Sequence, residues 1–319
     1  MISLIIAGVG VLMTSFNFSQ KKFLHFFALL LMRVFPLLII TTITLAVEQA
    51  FHLNFWTSGI RLGVVIICFI LLVLLVGFLQ YRKLISTVIV VQSEKLKKNR
   101  KLIYISDLHV DGFHGKRFLK HLVNKIIDEE PELVLIGGDL VNTPHKSYIS
   151  YFRTFQRLKM PVYAVIGNHD VYFGDDTSII EKVCHAGNIK LLRNESMDLF
   201  DDIQLVGIDD CDLRETRKLK TVLASSQIKE ENKFTILLSH RPYLLSKLSH
   251  TPIDLELAGH THRGQIRLFT QLSQYFDDYV YGLAKRNGKT AFTSQGVGSN
   301  LPIRLGTEGE IVVLHLETK

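Results

Sequence analysis

Gly259-His260-Thr261-His262 sets two imidazoles one residue apart, directly after the apolar run 255–258. On a strand end the side chains at i and i+2 share one face, and in a tight turn the intervening residue lets the rings diverge toward two ions. Either way both rings serve one site. Four stretches upstream offer the same kinds of donor: Ser106-Asp107-Leu108-His109, Gly137-Gly138-Asp139-Leu140-Val141-Asn142, Gly167-Asn168-His169-Asp170 and Ser239-His240-Arg241-Pro242. Hard oxygen mixed with imidazole suits Mn, Fe or Zn better than Ca. Two such ions roughly 3.5–4 Å apart clamp the attacking and leaving oxygens of an in-line phosphoryl displacement, provided a carboxylate reaches both. Each block alone has an ordinary reading: Asp139 can cap a helix, Asn168 can sit in a turn, and His169 can be a surface residue. Five blocks in one chain are hard to assign to packing.

The elements that must carry these residues are visible in the hydrophobic pattern. The blocks follow short apolar, β-branched runs at 102–105, 133–136, 162–166, 234–238 and 255–258, and each run ends in turn formers, as buried strands do. Five strand ends therefore deliver Asp, Asn or His, and in an open α/β sheet the carboxyl ends of strands are where sites are built. Phe118, Leu119, Leu122, Ile126 and Ile127 fall at helical spacing, which predicts a helix over 116–129 that stops before Pro131. A strand over 86–91 opens the domain and a helix is expected over 147–158, giving the β-α-β-α-β alternation of α/β layering. Between Asn168 and His240 the pattern predicts helices at 177–185 and 219–226 with strands at 189–192 and 203–206, and no large cap domain. Strands at 265–268, 290–294 and 310–316 complete the tail.

In order, the blocks read D-x-H, G-D-x-x, G-N-H-[DE], H and G-H-x-H, and over residues 100–316 the chain resembles the calcineurin-like metallophosphoesterases. The resemblance implies an α/β fold, a two-sheet αββα sandwich flanked by helices. It also implies that Asp107, His109 and His262 hold one divalent ion, that Asn168, His240 and His260 hold the other, and that Asp139 bridges. Manganese is the expected metal, with iron or zinc as alternatives. Metal coordination brings the pKa of a water toward neutrality; such a water would attack phosphorus while His169 protonates or polarises the leaving oxygen and Asp170 orients its ring. Three arginines stand out as substrate contacts. Arg263 takes the place of a glycine usual in relatives, and Arg241 follows His240 where a smaller polar residue is common; both guanidiniums can pair with phosphate oxygens or form surface salt bridges. Arg304, beyond Gly296-Val297-Gly298, matches an arginine of the membrane-associated subgroup and is expected to shape the site or touch substrate. Tyr275, Phe276, Tyr279 and Tyr281 either line an apolar edge or pack internally.

The 319 residues are 47% hydrophobic, with 3 Cys and no C-x-x-C pair, which excludes both a disulfide framework and a thiolate zinc site. Of the formal +7, residues 82–101 carry seven basic side chains against Glu94, 7 − 1 = +6, so the rest of the chain is near neutral. Without a basic stripe interleaved with aromatics, no nucleic-acid partner is expected, and no protein partner either. Three apolar stretches, 1–19, 23–47 and 63–79, predict a membrane anchor over 1–81 of two or three transmembrane helices, then a basic juxtamembrane segment over 82–101 and the metallophosphoesterase domain over 102–319. Arg33 within the second stretch costs about 2.5–3.5 kcal/mol on insertion. Lys21, Lys22 and the basic exit after residue 81 orient a multi-pass protein of the inner membrane, with its amino terminus outside and the catalytic domain cytoplasmic. Anchor and motifs together look like the membrane-bound hydrolases that cleave the pyrophosphate of UDP-2,3-diacylglucosamine to lipid X and UMP in lipid A synthesis. A tethered phosphodiesterase or phosphatase with another substrate, and a non-catalytic membrane scaffold, are the other readings.

Overall fold

The computed structural model describes residues 59–112, 114–171, 177–210, 232–242, 248, 251–265, 281–299 and 301–319. The first two apolar stretches, the expected helix over 219–226, residues 266–268 of the expected tail strand, and Tyr275, Phe276 and Tyr279 lie outside the described residues. Helix α1 (Gly59–Tyr81) is 23 residues long. Its side chains are described without a break only from Val65 onward, and among the described residues no helix is long and apolar enough to cross a membrane. Within that run Val65, Ile67, Phe69, Leu71, Leu72, Leu75 and Leu79 are each more than half exposed. The chain divides into two units, 1–75 and 76–319, so the last turn of α1 belongs to the second unit.

Two six-stranded sheets form that second unit. The first has the order β1 (Leu84–Ser93), β12 (Gly309–Thr318), β2 (Arg100–Ile105), β3 (Leu133–Ile136), β4 (Val162–Ala164), β5 (Lys190–Leu191). The second has the order β10 (Gly282–Arg286), β11 (Lys289–Thr293), β9 (Leu255–Ala258), β8 (Phe234–Leu238), β7 (Ile203–Gly207), β6 (Glu195–Phe200). β2, β3, β4 and β5 run parallel, as do β7, β8, β9 and β11. The strands that bring the chemistry therefore point their carboxyl ends the same way within each sheet. Tyr104, Leu135, Leu205, Ile236, Leu257 and Leu314 belong to the core between the sheets. On the outer face of the first sheet, α2 (Lys116–Asp128) buries Leu119, Leu122, Val123 and Ile126, the i, i+3, i+4, i+7 stripe of an amphipathic helix. The helix α4 (Ser178–Gly187) buries Ile180, Val183 and Cys184 on the same core and ends on Asn188 in the left-handed conformation.

The expected helix over 147–158 is three short pieces: a 3₁₀ turn Lys146–Tyr148, α3 (Ile149–Phe152) and a second 3₁₀ turn Arg153–Arg157. Phe152 and Phe155, three apart and stacked at 5.7 Å, are the residues it must bury, and a 3₁₀ turn puts i and i+3 on one side. Strands β6 and β10 were not foreseen; both lie at the sheet's edges and are at most half-buried, so they lack an apolar run. The basic stretch 82–101 is not a free segment. It contains β1, which pairs in parallel with β12 along its whole length. Lys95 meets Asp254 at 2.9 Å, Arg100 meets Glu132 at 2.9 Å and Asp202 at 3.1 Å, and Lys101 meets Glu129 at 3.1 Å. Much of the local positive charge is thus neutralised inside the domain.

Candidate metal centre

The carboxyl ends of β2, β3, β4, β8 and β9 converge. Three come from one sheet and two from the other, and each turns at once into a ligand-bearing loop. These turns are tight. Asp107, His109, Asp139, His260 and His262 all have positive φ, a conformation that costs non-glycine residues about 1–3 kcal/mol and clusters at functional sites. Backbone hydrogen bonds lock them: Asp107 N donates to Gly138 O at 3.0 Å and His109 N to Asp139 O at 2.9 Å, so the β2 and β3 loops are zipped together. The Asp107 carboxylate accepts from His260 N at 3.1 Å, tying the first sheet to the second. Gly167 must be glycine, because a Cβ there would collide with Asp139 Oδ1.

Two clusters of candidate donors result. Asp107, His109 and His262 bring one donor atom each into mutual range, with His109 Nε2 and His262 Nε2 3.0 Å apart and His262 Nε2 3.6 Å from Asp107 Oδ1. On the other side His240 Nε2 lies 2.9 Å from Asn168 Oδ1 and 3.2 Å from His260 Nδ1. Asp139 Oδ2 faces both sets, 3.5 Å from His109 Nε2 and 3.3 Å from His240 Nε2. A single oxygen of Asp139 is thus shared between the two sides, and its other oxygen, Oδ1, accepts from His169 N at 2.8 Å. Lone pairs that face lone pairs at these distances need a positive charge between them. Burial holds His260 down to about 3 and His262 to about 4, so both rings are neutral and open to a metal at neutral pH. Burial also lowers His240, but Asp139 outweighs it and drives the ring up to about 10: a proton on Nε2 stands where a cation fits. His240 Nδ1 donates to Gly137 O at 2.9 Å and fixes Nε2 toward the site, the outer support usual for a ligating histidine. Asp139 is held ionised against its burial by His240, His169 and His109. The residues present fit two divalent cations.

His169 lies beside this centre, its ring 4.8 Å from that of His109 and edge-on to it. Asp170 does not orient that ring. Its Oδ1 accepts from Val141 N at 3.1 Å and its Oδ2 from Gly167 N at 2.9 Å, so it braces the β3 and β4 loops; burial, with Asp139 next, pushes its carboxyl up to about 8. The orienting group is the main-chain carbonyl of Asn142, which accepts from His169 Nδ1 at 3.0 Å. Arg304 is fully buried and touches no open site; it donates to the carbonyls of Glu308 at 2.7 Å, Gln295 at 3.1 Å, Gly296 at 3.0 Å and Gly298 at 2.5 Å. Those carbonyls belong to the loop whose Val297 and Gly298 N–H groups bond Ser106 O and Asp107 O, so Arg304 shapes the site from behind. Arg241 pairs with Asp210 at 2.9 Å and is close enough to His260 to help lower its pKa. Arg263 lies over the Tyr281 ring at 4.2 Å. The supporting roles of Asn142, Gly137 and Asp210 were not foreseen; the first two act through main-chain carbonyls, which leave no residue-type signature.

The chain matches the calcineurin-like phosphoesterase family over residues 100–264, more than half its length. It is 34% identical over 233 residues to an uncharacterized metallophosphoesterase of Helicobacter pylori, covering 71% of this chain and 62% of the relative. Phosphodiesterase YaeI of Escherichia coli is 29% identical over 227 residues, 68% of this chain and 82% of its own. A transmembrane protein with metallophosphoesterase domain from Danio rerio is 29% identical over 233 residues, 68% of this chain and 53% of its own. The five converging strand ends, the clustered metal-type donors and this family match lead to one conclusion: the chain belongs to the calcineurin-like phosphoesterase family.

Proposed function

We propose that the protein hydrolyses a phosphodiester or pyrophosphate bond with two divalent ions, manganese by preference over iron or zinc, in a substrate presented at a membrane surface. The observation that carries the reading is the single Asp139 oxygen shared between two ligand sets, with His169 at their edge. When bound, the ions supply Lewis acidity and an activated water. Asp107, His109 and His262 would hold one ion and Asn168, His240 and His260 the other, with Asp139 available to both. His169, held at Nδ1 by the Asn142 carbonyl, presents Nε2 toward the site and gives its proton to the leaving oxygen. Arg241, partly exposed and aimed by Asp210, contacts a phosphate oxygen, and Arg263 flanks the entrance on Tyr281.

The membrane part of the reading rests on the three apolar stretches of the sequence and on the exposed apolar side chains of α1 ahead of its last turn. Those side chains support burial in lipid, and Arg82 and Lys83 at the end of the helix favour a catalytic domain on the cytoplasmic side of the membrane. The substrate we favour within this class is UDP-2,3-diacylglucosamine. The test is the full-length protein in detergent or nanodiscs with manganese, assayed for release of UMP from that nucleotide lipid beside hydrolysis of bis(p-nitrophenyl) phosphate. Hydrolysis of the soluble diester without UMP release rejects the lipid substrate and leaves a tethered phosphodiesterase. Loss of neither activity on removal of the metal rejects the mechanism.

A further inference from the structure

The last turn of α1 is hydrogen-bonded into the support of the candidate acid His169. Tyr81, the final residue of the helix and buried, has its hydroxyl 3.1 Å from His114 Nδ1, with the two rings 4.6 Å apart. The main-chain N–H of His114 donates to Asp111 Oδ1 at 2.9 Å, and the other oxygen of that carboxylate accepts from Asn142 Nδ2 at 3.1 Å. Asn142 O in turn holds His169 Nδ1. The Asn142 main chain is pinned from the other side as well, its N–H donating to Val110 O at 3.1 Å, so the carbonyl has little freedom except through the side chain that Asp111 grips. His114, Asp111 and Asn142 are all buried.

A chain of packed, mostly satisfied polar groups needs a reason to exist. Burying Asp111 and His114 costs solvation that a pair of apolar side chains would not. What this chain does that apolar packing cannot is fix the direction of one carbonyl, and through it the plane of one imidazole. We propose that Asn142, Asp111 and His114 are positioning residues for His169, and that their outer end is Tyr81, so the end of the apolar helix helps set the aim of the catalytic imidazole. The proposal rests on the reading of His169 as the group that protonates the leaving oxygen.

Leaving-group dependence separates positioning from general support. A p-nitrophenolate leaves readily without protonation and a phenolate or alkoxide does not, so a misaimed acid penalises the poorer leaving group selectively. The full-length protein, manganese-loaded, is assayed for kcat on p-nitrophenyl and phenyl phosphodiesters. In His169→Ala the phenyl-to-nitrophenyl ratio falls by roughly 10²-fold or more, the usual size of a general-acid contribution. In Asp111→Ala the ratio falls about tenfold, as for a lost outer-shell partner. Tyr81→Phe, which removes one oxygen and keeps the ring packing, lowers it about fivefold, the equivalent of one hydrogen bond. Bound manganese, measured by elemental analysis, stays at the wild-type level in Tyr81→Phe. An unchanged ratio in both Asp111→Ala and Tyr81→Phe, with a lowered ratio in His169→Ala, overturns the positioning role and spares the acid. An unchanged ratio in His169→Ala removes the acid itself, and the positioning proposal falls with it. Should Asp111→Ala fail to fold, Tyr81→Phe decides.

Discussion

Arg304 is the residue whose burial most changes what a substitution is expected to do. Replacing it with Met keeps much of the aliphatic volume and takes a donor from four carbonyls, those of Gln295, Gly296, Gly298 and Glu308, of which Gly296 keeps the Glu310 N–H at 3.0 Å. Each buried carbonyl left without a partner costs about 1–3 kcal/mol, and the sum is offset because a guanidinium no longer has to be desolvated. Burial pushes that guanidinium down to about 10, so it is still charged at neutral pH and its solvation cost is real. Breaking a buried charge network of this kind costs about 3–5 kcal/mol. At about 2–4 °C per kcal/mol for a domain of this size, Arg304→Met should lower Tm by about 6–20 °C. Arg304→Lys keeps the charge, but a single ammonium cannot span carbonyls that the guanidinium fork reaches together, and it recovers less than half of the loss. The assay is thermal unfolding of the metal-loaded protein, followed by KM and kcat on a soluble diester at a temperature where each variant is folded. A framework residue lowers Tm and bound metal while KM per folded molecule holds steady. A rise in KM of tenfold with Tm within about 2 °C of wild type refutes the framework role and restores the substrate contact.

Metal removal is expected to lower stability as well as activity: an ion at a hundredfold excess over its Kd adds about 2.7 kcal/mol, so chelation should shift Tm downward and manganese should restore it. A Tm indifferent to manganese contradicts the ligand assignment. Gly167→Ala forces a methyl against Asp139 Oδ1 and should reduce bound metal well below wild type while circular dichroism stays native. For pH, Asp202 is buried, which raises its carboxyl, but the Lys97 N–H at 2.7 Å and the Arg100 guanidinium outweigh that and leave it lowered. A lowered folded-state value means stability present above the ordinary carboxylate range and lost as pH falls through the folded value. Asp202→Asn should therefore be less stable than wild type at pH 7, with the gap closing below about pH 3 in denaturant titrations. A gap that widens on acidification reverses the sign and the reasoning.

Why some of this was readable from residue order and some was not has a physical basis. Buried parallel strands must be continuous apolar runs, so 133–136, 234–238 and 255–258 coincide with β3, β8 and β9 residue for residue. The ligand loops were readable because Asp, Asn and His immediately beyond such runs have few structural reasons to be there. Edge strands β6 and β10, half in water, carry no comparable constraint. The helix expected over 147–158 has the right residues for one face but breaks into 3₁₀ turns, a choice made by packing of Phe152 and Phe155 rather than by propensity. The orienting role expected of Asp170 and the substrate contact offered as one alternative for Arg304 are not what the fold uses them for, and the reason is common to both. Their chemistry fits phosphate and imidazole, but main-chain groups satisfied them first, and main-chain partners are invisible until the chain is folded.

The strand at the far end of the sequence has a consequence for how the molecule is made. β12 lies between β1 and β2, bonded in parallel to one and antiparallel to the other, so residues 84–105 have no finished sheet to join until the ribosome has passed residue 318. During synthesis the helix ahead of β1 emerges more than two hundred residues before the strand that closes the sheet behind it. The nascent chain must carry two unpaired, β-branched edges through that interval. A stop codon inside β12 therefore removes more than a tail: it leaves both edges permanently open, the condition under which chains pair with one another instead of with themselves.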